Sequence, residues 1–394
     1  MIKTVWLMAT CIAATLAAPS LALAEAPENL LKGCDFGKGA TGWDGIGQTD
    51  ARSIAVVDTD DGGKALRLSR KADGPVRVEQ TVKLKPQTLY RLSLTGSGKA
   101  KAAVRLRPSS SKDSKFGALL KPWAVATAPL AAGEKPHKTE FIFDSGLKAD
   151  SAIVMVYLSD DKEAGDYAIT DIALTAVSSS KPAADETVML HLGDSLTITS
   201  YLPFEQRCEA LIQSMLTKEL PGRKVRQVNL AADGEYVKDL LGSERYTKVV
   251  KENFERVDIA IIRYGANDQR SGSPADFAKQ MSTLCDSLQK DYPGIRIFLS
   301  TGTYLKGSKD VNSKYGPYWQ ATRDLAKERG LVLADVYARF EKEQSDKLTR
   351  GPSDMHPSVQ GAQLIAEETF AAIKGMLAAS ASAPATATAP DIKE

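Results

Sequence analysis

Ser195 stands in the stretch HLGDSLT, residues 191–197, where an apolar run stops at Gly193-Asp194 and a helical pattern begins soon after. A hydroxyl at such a turn can cap the helix, since Asp and Ser are favoured N-caps. It can also be a nucleophile presented at the end of a strand. Asn229 and Gly234 follow a second apolar run in NLAADGEY, Asn267 follows a third in RYGANDQR, and His356 stands in PSDMHPS beyond the last. These are the parts that acyl transfer requires. Ser195 Oγ would attack and His356 would take its proton. The Asn267 amide and the backbone N–H groups of Ser195 and Gly234 would hold the oxyanion. Glycine at 234 lets the backbone approach a substrate closely. Asp194 is expected to hold the turn by hydrogen bonds, and His191, inside an apolar run, to be a core residue.

Such residues act together only if the chain brings the ends of the runs to one place. TVMLHL, KVRQVNL, VDIAIIRYG, IRIFLST and LVLADV are five short apolar runs with amphipathic segments between them. The segment 204–220 stripes Phe204, Cys208, Leu211, Ile212, Met215 and Leu216, and the segment 273–294 stripes Phe277, Met281, Leu284, Cys285 and Leu288. Alternation of this kind predicts an α/β domain, a parallel five-stranded sheet with helices on both faces. Ligands of open parallel sheets bind at the carboxyl ends of the strands, where strand order reverses. In the flavodoxin-like order 2-1-3-4-5 the first run lies between the second and third, so Ser195, Gly234 and Asn267 share one crevice. The crossovers after the first and third runs then travel in opposite directions, and their helices cover opposite faces. Cys208 and Cys285 are therefore expected as two buried thiols and not as a disulfide.

The upstream part has a different grammar. SIAVVD, KALRLSR, VRVEQTVKL, LYRLSLTG, AAVRLRP, TEFIFD, AIVMVYLS and YAITDIALTAV alternate with period two between Gly, Asp, Pro and Ser residues. That spacing predicts an antiparallel β-sandwich over 25–177. A polar linker over 178–186 and the α/β domain over 187–378 follow. The Ala/Pro-rich residues 379–394 are expected to be disordered. Residues 1–24, with Lys3, an apolar stretch and Ala22-Leu23-Ala24, have the pattern of a cleaved secretory signal peptide. The expected location is periplasmic or extracellular, with no membrane-spanning segment after cleavage. Lys+Arg 51 against Asp+Glu 49 gives no nucleic-acid footprint. With three histidines and no Cys-x-x-Cys, no metal site and no cofactor are expected.

The blocks Gly193-Asp194-Ser195-Leu196, Asn229 to Gly234, Gly265-Ala266-Asn267-Asp268 and His356-Pro357 resemble those of the SGNH hydrolases, or GDSL-type esterases, over about half of the chain. The resemblance implies ester hydrolysis without a metal, often of acetyl groups on polysaccharides. It implies Ser195 as nucleophile, Gly234 and Asn267 as oxyanion donors and His356 as base. The family's acid stands three residues before the histidine. Here Ser353 holds that place and Asp354 lies one residue nearer, leaving Asp354, Ser353 or a backbone carbonyl to orient the imidazole. The stretch ENLLKGCDFGKGATGW resembles the start of galactose-binding-like jelly-roll modules, which implies glycan binding through exposed aromatics. Trp123 is the candidate there, with Tyr157 considered and Trp43 expected in the core. Arg263 and Asp268, flanking the third block, are candidates to contact substrate.

The resulting expectation is an exported serine esterase that removes acetyl or other small acyl groups from a polysaccharide or glycoconjugate. The alternatives are a lysophospholipase, a glycan O-acyltransferase and an inactive glycan-binding protein.

Overall fold

A computed structural model describes residues 28–379 apart from 47, 109–126, 146–150, 160–161, 163, 180 and 243–244. The signal-peptide pattern, Trp123 and residues 380–394 of the Ala/Pro-rich tail lie outside the described residues.

The upstream domain is two antiparallel sheets of five strands each. One runs in the order β1 (Asp44–Ile46), β4 (Arg77–Lys83), β9 (Ser151–Leu158), β6 (Ala102–Pro108), β7 (Thr127–Leu130). The other runs β2 (Arg52–Asp58), β3 (Lys64–Arg70), β10 (Gly165–Ser179), β5 (Thr88–Gly98), β8 (Gly133–Asp144). Period-two alternation turns Tyr90, Leu92 and Leu94 of β5 and Val104 and Leu106 of β6 into a shared core with Val154, Val156 and Trp43. Each such aliphatic side chain stabilises the fold by about 1.5–3 kcal/mol through burial. All eight alternating runs became strands. β1 and β7 went unanticipated because three or four residues are too few to show a period.

β10 continues through Ser179 and β11 (Glu186–Gly193) opens the second sheet. β12 (Lys224–Asn229), β13 (Ile259–Arg263), β14 (Arg296–Ser300) and β15 (Val332–Ala334) complete it in the order β12-β11-β13-β14-β15, all parallel. This is the flavodoxin-like 2-1-3-4-5 order that brings the ends of the first three runs together. Side chains of β11 alternate between two cores. Val188, Leu190 and Leu192 meet α4 (Pro274–Asp291) through Phe277, Met281, Leu284, Cys285 and Leu288. Met189 meets α2 (Cys208–Glu219) and α7 (Val359–Ala379) through Cys208, Ile212, Ile365 and Phe370. Cys208 and Cys285 are free thiols in separate cores, as the crossover argument requires.

The stripe expected from Phe204 is not one helix. Phe204–Gln206 makes a single 3-10 turn, Arg207 is extended at φ −82 and ψ 155, and α2 begins at Cys208. The buried Arg207 guanidinium turns back to donate to the carbonyls of Leu202 (3.0 Å) and Ser200 (3.2 Å), which fixes the loop at the expense of helical continuity. α4 starts where expected, on a Ser273–Asp276 capping box with Pro274 in its first turn.

The sandwich lies along β12, the edge strand of the parallel sheet. Asp144 at the end of β8 faces Arg226 near the start of β12 at 3.9 Å. Gln87 Nε2 donates to Glu255 Oε1 (3.3 Å), and the Phe141 and Phe204 rings meet at 6.1 Å between centroids. No helix among the described residues is long and apolar enough to cross a membrane.

Candidate active site

Gly193 ends β11 where a Cβ would lie 2.2 Å from Thr197 Oγ1 and 2.4 Å from the Arg263 carbonyl, so the strand can turn there only as glycine. Asp194 caps the one-turn helix α1 (Ser195–Ile198), its Oδ1 accepting from Leu196 N at 2.9 Å. Thr199, left-handed at φ 43, closes the turn. Ser195 thereby stands at the carboxyl edge of the sheet, half-buried, while Leu196 packs beneath it on Ala266 and Trp319.

His356 arrives on a hairpin of β16 (Thr349–Gly351) and β17 (Asp354–Pro357). Its Nδ1 lies 2.6 Å from Asp354 Oδ1 and its Nε2 2.9 Å from Ser195 Oγ. With Nδ1–H donated to the carboxylate, Nε2 is left to accept the serine proton. The same Asp354 oxygen accepts the His356 backbone N–H at 3.0 Å, which a two-residue spacing permits and a three-residue spacing would not require. Ser353 is exposed in the hairpin turn. Burial works against the charged form of Asp354, but the two His356 hydrogen bonds, the His356 charge and Arg350 together hold its carboxyl below the usual range. Tyr201 braces the ring from the other side. Its hydroxyl donates to the Pro357 carbonyl (2.8 Å), its ring meets His356 edge-on at 5.8 Å, and Arg350 lies over it at 4.5 Å.

The two oxyanion candidates sit on loops tied to this turn. Gly234, exposed at φ +72, follows β12. Ala232 N donates to the Gly193 carbonyl at 3.0 Å, and Asn229 Nδ2 to the Thr197 carbonyl at 3.3 Å. Asn267, after β13, donates its amide to the Glu235 carbonyl at 3.2 Å. Glu235 is itself anchored. Its carboxylate, wholly buried, accepts from Tyr264 Oη (2.8 Å) and faces Arg245 Nε (3.1 Å), while Arg245 also donates to the Leu230 carbonyl (2.8 Å). The carbonyl that orients the Asn267 amide is thus carried by a buried carboxylate–guanidinium–phenol cluster.

The structure corrects two assignments. Arg263, 2% exposed, donates to Ser300 Oγ (3.0 Å) and the Leu196 carbonyl (3.3 Å), which supports the nucleophile turn from below. Asp268, 3% exposed, accepts from Val237 N (3.0 Å) and Gly265 N (3.1 Å), which ties the Gly234 loop to the Asn267 loop. Neither faces a substrate. Trp43 is buried as expected, and His191 is a core residue paired with Gln227 Oε1 at 3.0 Å.

Burial dominates the titration of this floor. It lifts Asp194 to about 7 against partial compensation from the Leu196 amide, Arg263 and the Ala266 amide, with Asp268 adding to the rise. It lifts Asp268 to about 6, and pushes His191 down to about 4, so that His191 stays neutral. A cleft lined by Asp185, Thr187, Arg223, Arg256, Asp258 and Arg296 lies at the opposite, amino ends of the strands and holds none of the reactive groups.

Residues 191–364 match the GDSL-like lipase/acylhydrolase family. No curated protein matches the chain. Similar solved structures include an alpha/beta hydrolase from the metagenome of Lake Arreo in Spain, at 21% identity and TM-score 0.41, covering 50% of this chain and 97% of that one. An acetylxylan esterase from Geobacillus stearothermophilus is 20% identical with TM-score 0.41, covering 49% of this chain and 95% of that one. A family two carbohydrate esterase from Clostridium thermocellum, in complex with cellohexaose, is 15% identical with TM-score 0.41, covering 82% of this chain and 97% of that one. With Ser195, Asn229 to Gly234, Asn267 and His356 gathered at one edge of a 2-1-3-4-5 sheet, the C-terminal domain is a GDSL-like lipase/acylhydrolase domain, a hydrolase of the SGNH esterase family.

Proposed function

We propose that this protein is an exported serine esterase that removes acetyl or other small acyl groups from carbohydrate, with Ser195, His356 and Asp354 as its triad. The observation that carries the reading is the relay Ser195 Oγ–His356 Nε2 at 2.9 Å and His356 Nδ1–Asp354 Oδ1 at 2.6 Å. In the first step Ser195 Oγ attacks the ester carbonyl as its proton passes to Nε2. Backbone N–H groups of Ser195 and Gly234 and the Asn267 amide receive the developing oxyanion. Collapse breaks the bond to the alcohol, which takes the proton from Nε2. Water then loses a proton to Nε2, attacks the acyl-enzyme and frees the acid, and the proton returns to Ser195 Oγ. Asp354 stays ionised throughout and stabilises the imidazolium.

The carbohydrate part of the reading is supported by the polar groups around the relay, Asp233 with Ser200 and Arg350. The signal-peptide pattern in residues 1–24 supports export. The test compares wild type with Ser195→Ala on O-acetylated glycans, on lysophospholipid and on 4-nitrophenyl acetate. Acetate release from a glycan by wild type and none by the variant is the expected result. Equal inertness of both proteins on every substrate would overturn the esterase reading, and fatty-acid release without acetate release would replace carbohydrate by lipid.

A further inference from the structure

The loop that carries Gly234 is a tight turn whose two ends are held by backbone bonds and whose middle is not. Residues 232–235 form it, with the Glu235 N–H donating to the Ala232 carbonyl at 3.1 Å and Asp233 and Gly234 at its centre. Ala232 N holds one end to the Gly193 carbonyl (3.0 Å), and the Asn267 amide holds the Glu235 carbonyl at the other (3.2 Å). The N–H assigned to the oxyanion belongs to the peptide between Asp233 and Gly234, the central peptide of the turn. Turns of types I and II share their ends and differ by a rotation of that peptide, with negative φ at the third residue in type I and positive φ in type II. Gly234 has φ +72, and glycine takes either sign at little cost. The backbone ties alone therefore leave the direction of the Gly234 N–H undecided.

A pair of side chains supplies what the backbone lacks. Asp233 Oδ2 accepts from Ser200 Oγ at 2.8 Å, and both residues are half-buried. Burial raises the Asp233 carboxyl, and the Ser200 hydrogen bond is the foremost of the interactions that lower it. Ser200 is itself fixed. It follows Thr199, which closes the nucleophile helix, and the buried Arg207 donates to its carbonyl (3.2 Å) and to that of Leu202 (3.0 Å). Tyr201, next in the chain, donates to the Pro357 carbonyl (2.8 Å) and meets the His356 ring edge-on. One dipeptide thus touches the loop that carries an oxyanion donor and the strand that carries the base, and it is continuous with the helix that begins at the nucleophile.

We infer that the Ser200–Asp233 hydrogen bond is a clamp that keeps the 233–234 peptide turned so that the Gly234 N–H faces the oxyanion. This deepens the esterase reading and rests on it. Ser200 and Asp233 are positioning residues, because each acts through the Gly234 N–H and not on the reacting atoms. With the bond removed, the turn relaxes between two orientations of its central peptide, and one of them withdraws the donor. The loss falls on the transition state, since the oxygen that Gly234 receives gains its charge only there.

The experiment measures kcat and KM on 4-nitrophenyl acetate for wild type, Ser200→Ala, Asp233→Ala, the double variant and Ser200→Thr. Acylation and deacylation both pass through an oxyanion, so kcat reports the donor whichever step is slower. Each alanine variant should lose about tenfold or more in kcat with KM little changed, less than the roughly 10²- to 10³-fold of losing a donor outright. The double variant should be no worse than the poorer single one, because both remove the same bond. Ser200→Thr keeps the hydroxyl and should keep most of kcat. Asp233→Ala tests the bond from its other side if Ser200→Ala is poorly folded. Wild-type kcat in both single variants, or a rise in KM at constant kcat, overturns the clamp and leaves the esterase intact. A loss confined to Asp233→Ala also overturns it, since Asp233 would then act without Ser200. Wild type inert on every ester overturns the esterase reading and the clamp with it.

Discussion

The rim and the floor of the catalytic centre are built by opposite rules. At the rim, His356 and Asp354 keep about a third of their side-chain surface exposed and are fixed by short contacts within one hairpin and by the Tyr201 ring. In the floor, Asp194, Glu235, Arg263, Tyr264 and Asp268 are almost wholly buried and tie the loops after β11, β12 and β13 together, mostly through backbone groups. Groups that must exchange protons with substrate and water stay accessible. The groups that aim them are ionisable residues removed from water, where each bond is stronger and each unpaired partner is more costly. Substitutions at the rim should therefore remove rate and leave the fold, and substitutions in the floor should disturb both.

The largest expected effect is at the rim. Ser195→Ala should lower kcat by about 10⁴-fold or more on any ester, because the relay has no second nucleophile to act through. Its melting temperature should stay near that of wild type, since Ser195 is half-buried and its bond to His356 is replaceable by water. A large fall in melting temperature would mean that rim and floor are one cooperative unit and would remove the distinction.

Glu235→Gln tests the floor. It would leave Arg245 buried opposite a neutral amide, which costs about 3–5 kcal/mol when a buried pair is broken. Urea unfolding should show that loss, and kcat should fall with it because the Glu235 carbonyl orients the Asn267 amide. Wild-type stability in Glu235→Gln would show that the ion pair is not holding the loop.

Between the two stands Asn267, 8% exposed, anchored from the floor and aimed at the rim. Asn267→Ala should cost about 10²- to 10³-fold in kcat with little change in KM, the loss seen for a single oxyanion donor. A rise in KM at constant kcat would assign the amide to ground-state binding instead.

The same contrast explains what could be read from the chain. Ser195, Gly234, Asn267 and His356 could be singled out as candidates because each lies beyond the carboxyl end of an apolar run, where ligands of an open parallel sheet bind. The strand order and the two-faced cores were legible because apolar periodicity is what buries a sheet. Arg263 and Asp268 were misread because a charged residue beside a catalytic block has the same sequence signature whether it meets substrate or ties loops. Nothing local reveals burial in a loop. Glu235, Arg245 and Tyr201 gave no signal for the same reason, since their partners are assembled by the fold across 10 or more residues (Glu235 with Arg245) and 156 residues (Tyr201 with Pro357). Asp354 was legible only as one of three candidates, and it is the β16–β17 hairpin that turns its carboxylate onto the backbone N–H and the Nδ1 of His356.

The smallest expected effect lies directly under the nucleophile. Burial raises Asp194 from 3.8 to about 7, so between those values the native state holds a proton that the unfolded chain has released. Stability supplied by a group of this kind falls as pH rises, from about 4 until the folded-state value near 7 is passed. Asp268, at about 6, slopes in the same direction, and His191, lowered to about 4, slopes oppositely between about 4 and 6.5. Both remain when Asp194 is replaced, so the difference between Asp194→Asn and wild type isolates the one carboxyl. The asparagine oxygen can still accept from Leu196 N and keep the cap. The variant should therefore gain on wild type between pH 5 and 8 by about 1–3 kcal/mol, with the gain complete above pH 7. Melting temperatures measured across that range should converge at the acid end and separate toward neutrality. Parallel curves would mean that Asp194 is ionised at every pH tested and that its Arg263 and Ala266 neighbours outweigh its burial.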